Sequence, residues 1–349
     1  MATIGFVGDV YPGPIPGLSI EPAVLDRLNA VDLLVANLEC PVTSIEEPSV
    51  EKGVHLRSSP GASAMLGEAG IGLASLANNH MFDFGDEGFR DTVAYLDANG
   101  IAWVGAGRNL LAARQALITI VDGLSVGFLA YSAPEIETTC ATVQSPGCAP
   151  LDPEMIEADV SRLAGDVDVM IVLLHWGLIG YELPKPDHFR LGRSLIDAGA
   201  TLVVGSHPHV LQGIAGHGAG LMAFSLGDFA FYPAAASGRA VNQYRARQTG
   251  MLLTVEVEPG RVVSHDVYLT RQQGTHVGVE ESRSRRATVA RASTRLLGPA
   301  AGYDRAWKRY VIRHTVSRTV KRLAPWKWKT IRRGTVKGFG VALREIFKR

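Results

Sequence analysis

The chain has 349 residues, of which 46% are hydrophobic and 20% charged, and its net charge is +1. This length suits one large α/β domain with an appendage, or two domains. The three cysteines, Cys40, Cys140 and Cys148, exclude a disulfide framework and show no metal-binding or redox spacing, and no apolar run is long enough to cross a bilayer. No signal peptide precedes the first apolar strand, so we expect a reducing, cytoplasmic location.

In the first half of the chain, short apolar strands alternate with helices. The predicted strands are 3–10, Asp32–Leu38, Gly72–Ala77, Trp103–Gly105, Ala116–Val121 and Ser125–Tyr131. Helices are predicted at Pro22–Asn29, near Ala62–Ala69 and over Asp86–Asn99. Residues 43–60 and Glu135–Pro150 are expected to be irregular.

The same alternation continues in the second half. Helices are predicted at Pro153–Ala164 and Asp187–Ala198, and strands at Val167–Leu174, Thr201–Val204 and Leu221–Leu226. A hairpin follows, with strands at Met251–Val257 and Arg261–Tyr268. Repeated alternation of strands and helices predicts an α/β fold.

The charge is unevenly distributed along the chain. From Arg283 to the end there are 20 Lys and Arg residues against two acids, Asp304 and Glu345, so residues 1–282 hold 15 basic and 32 acidic residues. The body therefore carries about −17 and the tail about +18. This split predicts an acidic domain over residues 1–275 and a basic interaction tail over residues 283–349.

Apolar residues in the tail recur at helical spacing, which predicts two basic amphipathic helices separated at Pro325. The stripes are Ile312, Val316, Val320 and Leu323, then Val336, Phe339, Leu343 and Phe347, with Trp307, Trp326 and Trp328 among lysines. Such helices suit an anionic membrane surface, which would make the protein peripheral at the inner face of the membrane. Packing on the acidic body is the second interpretation, and nucleic-acid binding is the third.

Six of the predicted strands end in a short polar group. The groups are Asp9, Asn37 with Glu39, Asn78 with Asn79 and His80, His175, His207 with His209, and Asp228. Ligands of α/β sheets lie outside the carboxyl ends of the strands. Singly, these residues also suit turns, caps or a core histidine, but their shared placement predicts a metal site.

The donor types indicate the chemistry of that site. Pro208 should hold His207 in an extended conformation, so that His207 and His209 face one volume. Histidine, carboxylate and amide donors without thiolate suit Zn²⁺, Mn²⁺ or Fe²⁺, and a carboxylate such as Glu39 can bridge two ions. His80 is the candidate general acid, and Asp83, three residues on, is placed to orient it.

Several motifs recur together in one order over residues 3–232. They are Gly8-Asp9-x-x-x-Gly13, Asn37-Leu38-Glu39, Ala77-Asn78-Asn79-His80-x-x-Asp83-x-Gly85, His175-Trp176-Gly177, Gly205-x-His207-Pro208-His209 and Phe224-Ser225-Leu226-Gly227-x-Phe229. In these motifs the chain resembles the bacterial capsule-synthesis family of the CapA, poly-γ-glutamate type. That family is itself similar to the calcineurin-like metallophosphoesterases.

The resemblance implies a four-layer α/β/β/α metallophosphatase-like sandwich that binds one or two divalent transition-metal ions. The implied metal ligands are Asp9, Glu39, Asn79, His175, His207 and His209. The chain departs from the pattern at three places. Tyr11 stands where the phosphoesterases have histidine, Ile179-Gly180 where the capsule family has Glu-Tyr, and Asp228 where it has asparagine.

The resulting hypothesis is a metal-dependent hydrolase or transferase acting on a phosphorylated or γ-glutamyl intermediate of an anionic cell-surface polymer. One alternative is a non-catalytic scaffold of a polymer-synthesis complex, recruited through the basic tail. The other is a nucleic-acid phosphoesterase guided by that tail.

Overall fold

The structure is a computed structural model that describes residues 1–233, 249–296 and 300–323. The strands are β1 (Ala2–Tyr11), β2 (Ser19–Ile20), β3 (Leu33–Leu38), β4 (Ile71–Ser75), β5 (Ala102–Val104), β6 (Ala106–Gly107), β7 (Leu117–Val121), β8 (Leu124–Ser132), β9 (Gly147–Cys148), β10 (Val169–His175), β11 (Leu202–Ser206), β12 (Ile214–His217), β13 (Gly220–Ala223), β14 (Asp228–Phe231), β15 (Thr249–Glu258), β16 (Arg261–Gln273) and β17 (His276–Val279). The helices are α1 (Pro22–Leu28), α2 (Pro60–Ser63), α3 (Met65–Glu68), α4 (Gly85–Ala98), α5 (Leu110–Ala113), α6 (Pro153–Leu163), α7 (Pro186–Asp197), α8 (Arg283–Leu296) and α9 (Ala300–Leu323).

The first sheet is built around β1. Its order is β2-β17-β16-β15-β1-β3-β4-β5, with β3, β4 and β5 parallel to β1 and β15 antiparallel to it. Beyond the part of β1 that pairs with β15, the carboxyl end of β1 pairs in parallel with β14, with Asp9 opposite Asp228. The end of β1 is therefore flanked by β3 on one side and β14 on the other.

The second sheet has the order β12-β13-β11-β10-β8-β7, with β13, β11, β10 and β8 parallel. Strands β10 and β11 are registered so that His175 lies opposite Ser206. The apolar runs of these strands are buried along their length, as expected for parallel strands covered on both faces.

Two apolar cores set the layers. One core lies between the two sheets and includes Ile4, Phe6 and Val35 from the first sheet, and Phe128 and Ile171 from the second. The other covers the opposite face of the first sheet with side chains of α1, α3 and α4. Helix α7 packs on the outer face of the second sheet, where Gly192 lies against Met222 of β13. The predicted four-layer α/β/β/α sandwich is confirmed.

Several short strands differ from the sequence prediction. The predicted strand Leu221–Leu226 is shorter, β13 (Gly220–Ala223), and two further strands, β12 and β14, flank it in the chain. Gly227 has a φ of +68°, which breaks the apolar run before β14 begins at Asp228. The predicted loop Glu135–Pro150 contains β9, which pairs with β6.

The described residues fall into two units, one ending with α8 and the other beginning with α9. The predicted start of the tail at 283 therefore differs from the structure, in which α8 belongs to the body. Val289, Ala292 and Leu296 are buried, and the Ser293 hydroxyl accepts a hydrogen bond of 2.9 Å from the Ile214 amide. For α8, packing on the body is thus the interpretation that the structure supports.

The second unit is described as one helix, α9. Helix formation over 300–323 agrees with the predicted first helix, but the side chains described as buried in it are Tyr303, Trp307 and Val311, and Ile312 is 46% exposed. The side chains of Val316, Val320 and Leu323 lie outside the described part of this helix. Trp326, Trp328 and the predicted second stripe, Val336 to Phe347, lie outside the described residues. Among the helices that are described, none combines the length and apolarity needed to span a bilayer.

Candidate metal centre

The predicted donors meet where the carboxyl ends of the two sheets face each other. Asp9, Glu39 and Asn79 come from the ends of β1, β3 and β4 in the first sheet. His175, His207 and His209 follow β10 and β11 of the second. Contacts join the two sets: Nε2 of His175 lies 2.9 Å from Oδ1 of Asn79, and the His207 amide donates to Oδ2 of Asp9 at 3.2 Å.

Three of these side chains form a first donor group: Glu39, His175 and His207. One potential ligand atom from each lies within 4.8 Å of the others. Nε2 of His175 is 3.2 Å from Nδ1 of His207 and 3.8 Å from Oε1 of Glu39. Oδ1 of Asn79, 2.9 Å from Nε2 of His175, adds an amide oxygen to the same place.

A second donor group consists of Asp9, His209 and Asp228, again with ligand atoms within 4.8 Å of one another. Nδ1 of His209 is 2.7 Å from Oδ1 of Asp228 and 3.4 Å from Oδ2 of Asp9. Nε2 of His209 lies 3.6 Å from Oε1 of Glu39, so Glu39, a member of the first group, is also close to the second.

The backbone around Pro208 differs from the sequence expectation. His207 and His209 have positive φ angles of +93° and +53°, so the extended conformation predicted for this segment is wrong. A following proline disfavours the helical region but does not set φ, which here accompanies the bond from the His207 amide to Asp9. The two imidazoles consequently belong to different donor groups, with ring centroids 5.9 Å apart. Rare backbone conformations in non-glycine residues are typical of functional sites.

The environment of the Glu39 carboxylate indicates whether these residues could bind a cation. Its side chain is fully buried, and neither Oε1 nor Oε2 has a hydrogen-bond partner among the residues that the structure describes. A buried carboxylate without partners is costly, and a bound cation is one of the few groups that can satisfy it. The donors present therefore fit a divalent metal ion.

Burial and charge act on the ionisable donors in opposite directions. Burial raises the pKa of Asp9 to about 6 and raises that of Glu39 well above its ordinary value. Burial, reinforced by the neighbouring histidines, lowers the pKa of His175 and of His207, so both imidazoles are neutral, as ligands must be. Burial also opposes a charge on His209, but Glu39, Asp228 and Asp9 outweigh it and raise its pKa.

His80 and Asp83 lie beside the donors and contact each other as predicted. Nδ1 of His80 is 2.7 Å from Oδ2 of Asp83, which also accepts a 2.8 Å hydrogen bond from the Leu56 amide. Burial lowers the pKa of His80, with the Asp83 contact opposing it. Lys52 pairs with the other oxygen of Asp83 and donates to the carbonyl of Asn79.

Some residues of the centre were not assigned by sequence reasoning. Asp228 was recognised at a strand end but was not predicted to be a ligand, although its place at the strand end was the signal that could have identified it as one. Asn37 donates to Oδ1 of Asp9 at 2.8 Å and lies 3.3 Å from Nδ1 of His175. Lys52 sits in a segment read as irregular, where no pattern marks it. Asn78 is structural: its side-chain amide donates to the Leu38 carbonyl and its Oδ1 accepts from the His80 amide.

Comparison with protein families gives a match over most of this region. A family model described as "Bacterial capsule synthesis protein PGA_cap" matches residues 3–233. That range contains every donor of both groups, together with Lys52, His80 and Asp83.

Curated relatives have names from the same context. The capsule biosynthesis protein CapA of Bacillus anthracis is 30% identical over 228 residues, which are 63% of this chain and 56% of that protein. The PGA biosynthesis protein CapA of Bacillus subtilis is 29% identical over 257 residues, 70% of this chain and 68% of that protein. A probable polyglutamine synthesis accessory protein of Mycobacterium tuberculosis is 34% identical over 198 residues, 54% of this chain and 52% of its own. The chain thus spans between about half and two thirds of the length of these relatives.

The sequence identity to similar solved structures is lower than the identity to these relatives. A hypothetical protein from Thermus thermophilus has a TM-score of 0.49 and 19% identity, covering 76% of this chain and 98% of that one. A phosphatase from Mycoplasma pneumoniae has a TM-score of 0.46 and 13% identity, covering 77% and 92%. At these scores the two structures carry no functional inference.

Proposed function

The chain belongs to the bacterial capsule synthesis protein family PGA_cap, and from that premise we propose that it is a metal-dependent hydrolase or transferase. Its proposed substrate is a phosphorylated or γ-glutamyl intermediate of an anionic cell-surface polymer. The polymer context rests on the names of the curated relatives, which are capsule and PGA biosynthesis proteins.

The observation that supports the enzymatic part is the pair of donor groups, with Glu39 of the first group also close to His209 of the second. Glu39, His175, His207 and Asn79 would hold one divalent ion, and Asp9, His209 and Asp228 lie around a second position. Ions at such a centre supply Lewis-acid chemistry, activating a water and neutralising charge on a phosphoryl or carbonyl oxygen.

The chain's own residues supply the remaining functions. Asp83 fixes the His80 ring through Nδ1, so Nε2 is the atom that would pass a proton to a leaving group. Lys52 fixes Asp83 in turn, through an ion pair in which both side chains are almost fully buried. Asn37 holds the carboxylate of Asp9 by a hydrogen bond, which orients it toward His209.

The test has two stages and uses the purified full chain. Elemental analysis after loading with Mn²⁺ or Zn²⁺ compares the wild type with the double variant His207→Ala/His209→Ala. We expect bound metal in the wild type and its loss in the double variant. His265→Ala, which removes an exposed histidine of β16, is the matched control and should retain the metal.

The second stage measures turnover of phosphomonoester, phosphodiester and γ-glutamyl peptide substrates. His80→Ala should keep the metal but lose turnover by about 10²- to 10⁴-fold, the usual contribution of a general acid. A wild type that binds no metal after loading would overturn the proposal. A metal-loaded wild type inactive on all three classes would replace the enzyme with a non-catalytic scaffold of polymer synthesis.

A further inference from the structure

Asp228 reaches the centre because β14 docks against the end of β1. The two strands are parallel, with Asp9 opposite Asp228, so the two carboxylates project side by side. The Asp9 amide donates to the Gly227 carbonyl at 2.9 Å. A Cβ on Gly8 would lie only 1.8 Å from that carbonyl oxygen, so the approach requires glycine at position 8.

The distances around His209 suit donors to a single ion. Its Nδ1 lies 2.7 Å from Oδ1 of Asp228 and 3.4 Å from Oδ2 of Asp9. Ligands about 2.1 Å from one ion are themselves separated by about 3.0–3.4 Å in octahedral or tetrahedral arrangements. The three donor atoms therefore need only small shifts to surround an ion.

A short contact between aspartate and histidine is not sufficient evidence by itself. His217 and Asp197 are also 2.7 Å apart, but the Asp197 side chain is 71% exposed and the pair is an ordinary surface interaction. Asp228 is 7% exposed, and it lies with Asp9 and Glu39, both fully buried, around one imidazole. Three buried carboxyl groups around one histidine leave an excess of acid that a cation would balance.

The two donor groups also differ in composition. The first offers two imidazoles, one carboxylate and the Asn79 amide oxygen, whereas the second offers two carboxylates and one imidazole. Imidazole-rich sites suit zinc, and carboxylate-rich sites suit manganese. With asparagine in place of Asp228, the second group would keep only one charged donor of its own.

We propose that Asp228 is a direct donor to an ion held with Asp9 and His209, and that it makes this position oxygen-rich, so that Mn²⁺ occupies it more readily than it occupies the first donor group. The neighbouring position of Glu39, His175 and His207 correspondingly prefers Zn²⁺. This inference rests on the metal site of the proposed function, but measuring the bound metal ions is enough to test it, without an assay of activity.

The experiment loads the full chain with one molar equivalent of Zn²⁺ and an excess of Mn²⁺, removes unbound ions, and counts bound metals by elemental analysis and Mn²⁺ EPR. We expect one Mn²⁺ and one Zn²⁺ in the wild type. Asp228→Ala should retain Zn²⁺ and lose Mn²⁺. Asp228→Asn keeps the shape and an oxygen donor and should bind Mn²⁺ at least tenfold more weakly, since it loses the charge. Asp197→Asn is the control and should match the wild type.

The outcomes separate this inference from the proposed function. If Asp228→Ala still binds two ions at saturation with only a weaker affinity, Asp228 merely orients His209 and the inference is overturned. If the wild type binds only one of the two metals from this mixture, the difference in preference between the positions is overturned. A wild type that binds no ion would instead overturn the proposed function itself. Circular dichroism of both variants checks that they are folded, and Asp228→Asn carries the test if Asp228→Ala is not.

Discussion

At the scale of single residues, Glu39 joins the two donor groups. Its Oε1 lies 3.8 Å from Nε2 of His175 and 3.6 Å from Nε2 of His209. The sequence predicted this residue and its partners because they follow strands whose ends must converge. It did not predict the positive φ angles of His207 and His209, because these accompany contacts with residues almost 200 positions away in the chain, such as Asp9.

Lys52 is the residue that sequence reasoning had no means of finding, and it allows a direct test. It pairs with Asp83 while only 5% exposed, and Asp83 is 1% exposed. Lys52→Gln would leave a buried carboxylate without its cation, so we expect the free energy of unfolding to fall by about 3–5 kcal/mol. Urea denaturation of the metal-free protein measures this.

The control for Lys52 is an exposed ion pair of β15 and β16, Arg261 with Glu258. Arg261→Gln should change the free energy of unfolding by less than about 1 kcal/mol. Equal effects of the two substitutions would show that Lys52 is not a buried structural cation.

At the scale of elements, β14 is the strand that completes the centre. Local pattern could not reveal it, because β14 is four residues long and its pairing depends on a partner more than 200 positions earlier. Helices and long strands were predicted well because their apolar periodicity is local. β12 and β17 were missed although each forms a hairpin with its neighbour in the chain, because four residues are too few to show an apolar periodicity.

Gly8→Ala tests the docking of β14. The added Cβ would clash with the Gly227 carbonyl oxygen 1.8 Å away, so we expect a loss of about 3 kcal/mol in the free energy of unfolding. Metal content should fall first at the position of Asp9, His209 and Asp228. Gly165→Ala is the control, because nothing lies within 4 Å of its Cβ, and it should change stability by less than about 1 kcal/mol. A stable Gly8→Ala variant with unchanged metal content would show that this approach of backbones is not required.

Asp159 of helix α6 binds the second sheet through a hydrogen bond from Tyr131. Its carboxylate accepts two 2.9 Å hydrogen bonds from Arg114 and one of 2.7 Å from Tyr131 of β8. Burial would raise the pKa of Asp159, but these hydrogen bonds outweigh it and hold the pKa below its ordinary value. The stabilisation is therefore present above the unfolded-state pKa, near 3.9, and is lost as the pH falls through the lower folded-state pKa.

Asp159→Asn should remove this contribution. We expect the free energy of unfolding at pH 7 to fall by about 1.5–3 kcal/mol, the range for a hydrogen bond to a charged group. The difference from the wild type should shrink as the pH is lowered below about 4. Urea denaturation between pH 3 and 7 measures both effects, with Asp266→Asn on the exposed side of β16 as the control. A difference that stays constant across this range would contradict the assignment.

At the scale of the whole molecule, the division of charge and the division into units do not coincide. The basic region begins at Arg283, but α8 packs into the body with five of the 20 basic residues, and 15 follow it. Composition located the change in charge, whereas only packing shows where the body ends. The order of strands in both sheets was likewise beyond sequence reasoning, because it is set by long-range pairing.

We propose that the basic residues after α8 bind an anionic membrane surface. Each Lys or Arg near such a surface contributes about 1 kcal/mol. Deleting residues 298–349 should abolish sedimentation with vesicles containing phosphatidylserine and leave metal content unchanged. Phosphatidylcholine vesicles are the control and should bind neither protein. Unchanged sedimentation of the truncated chain would refute the proposal, whereas a deletion from 283 would also remove α8 and confuse the result.

The pairing of β1 with β14 has a consequence for how the protein matures. The donors run in the chain from Asp9 to Asp228, and these two lie opposite each other where β1 pairs with β14. During synthesis, the ribosome must therefore release the chain at least as far as Asp228 before the second donor group can form. The metal binding proposed for this group would then be a late step of biogenesis, possible only after β14 has paired with β1.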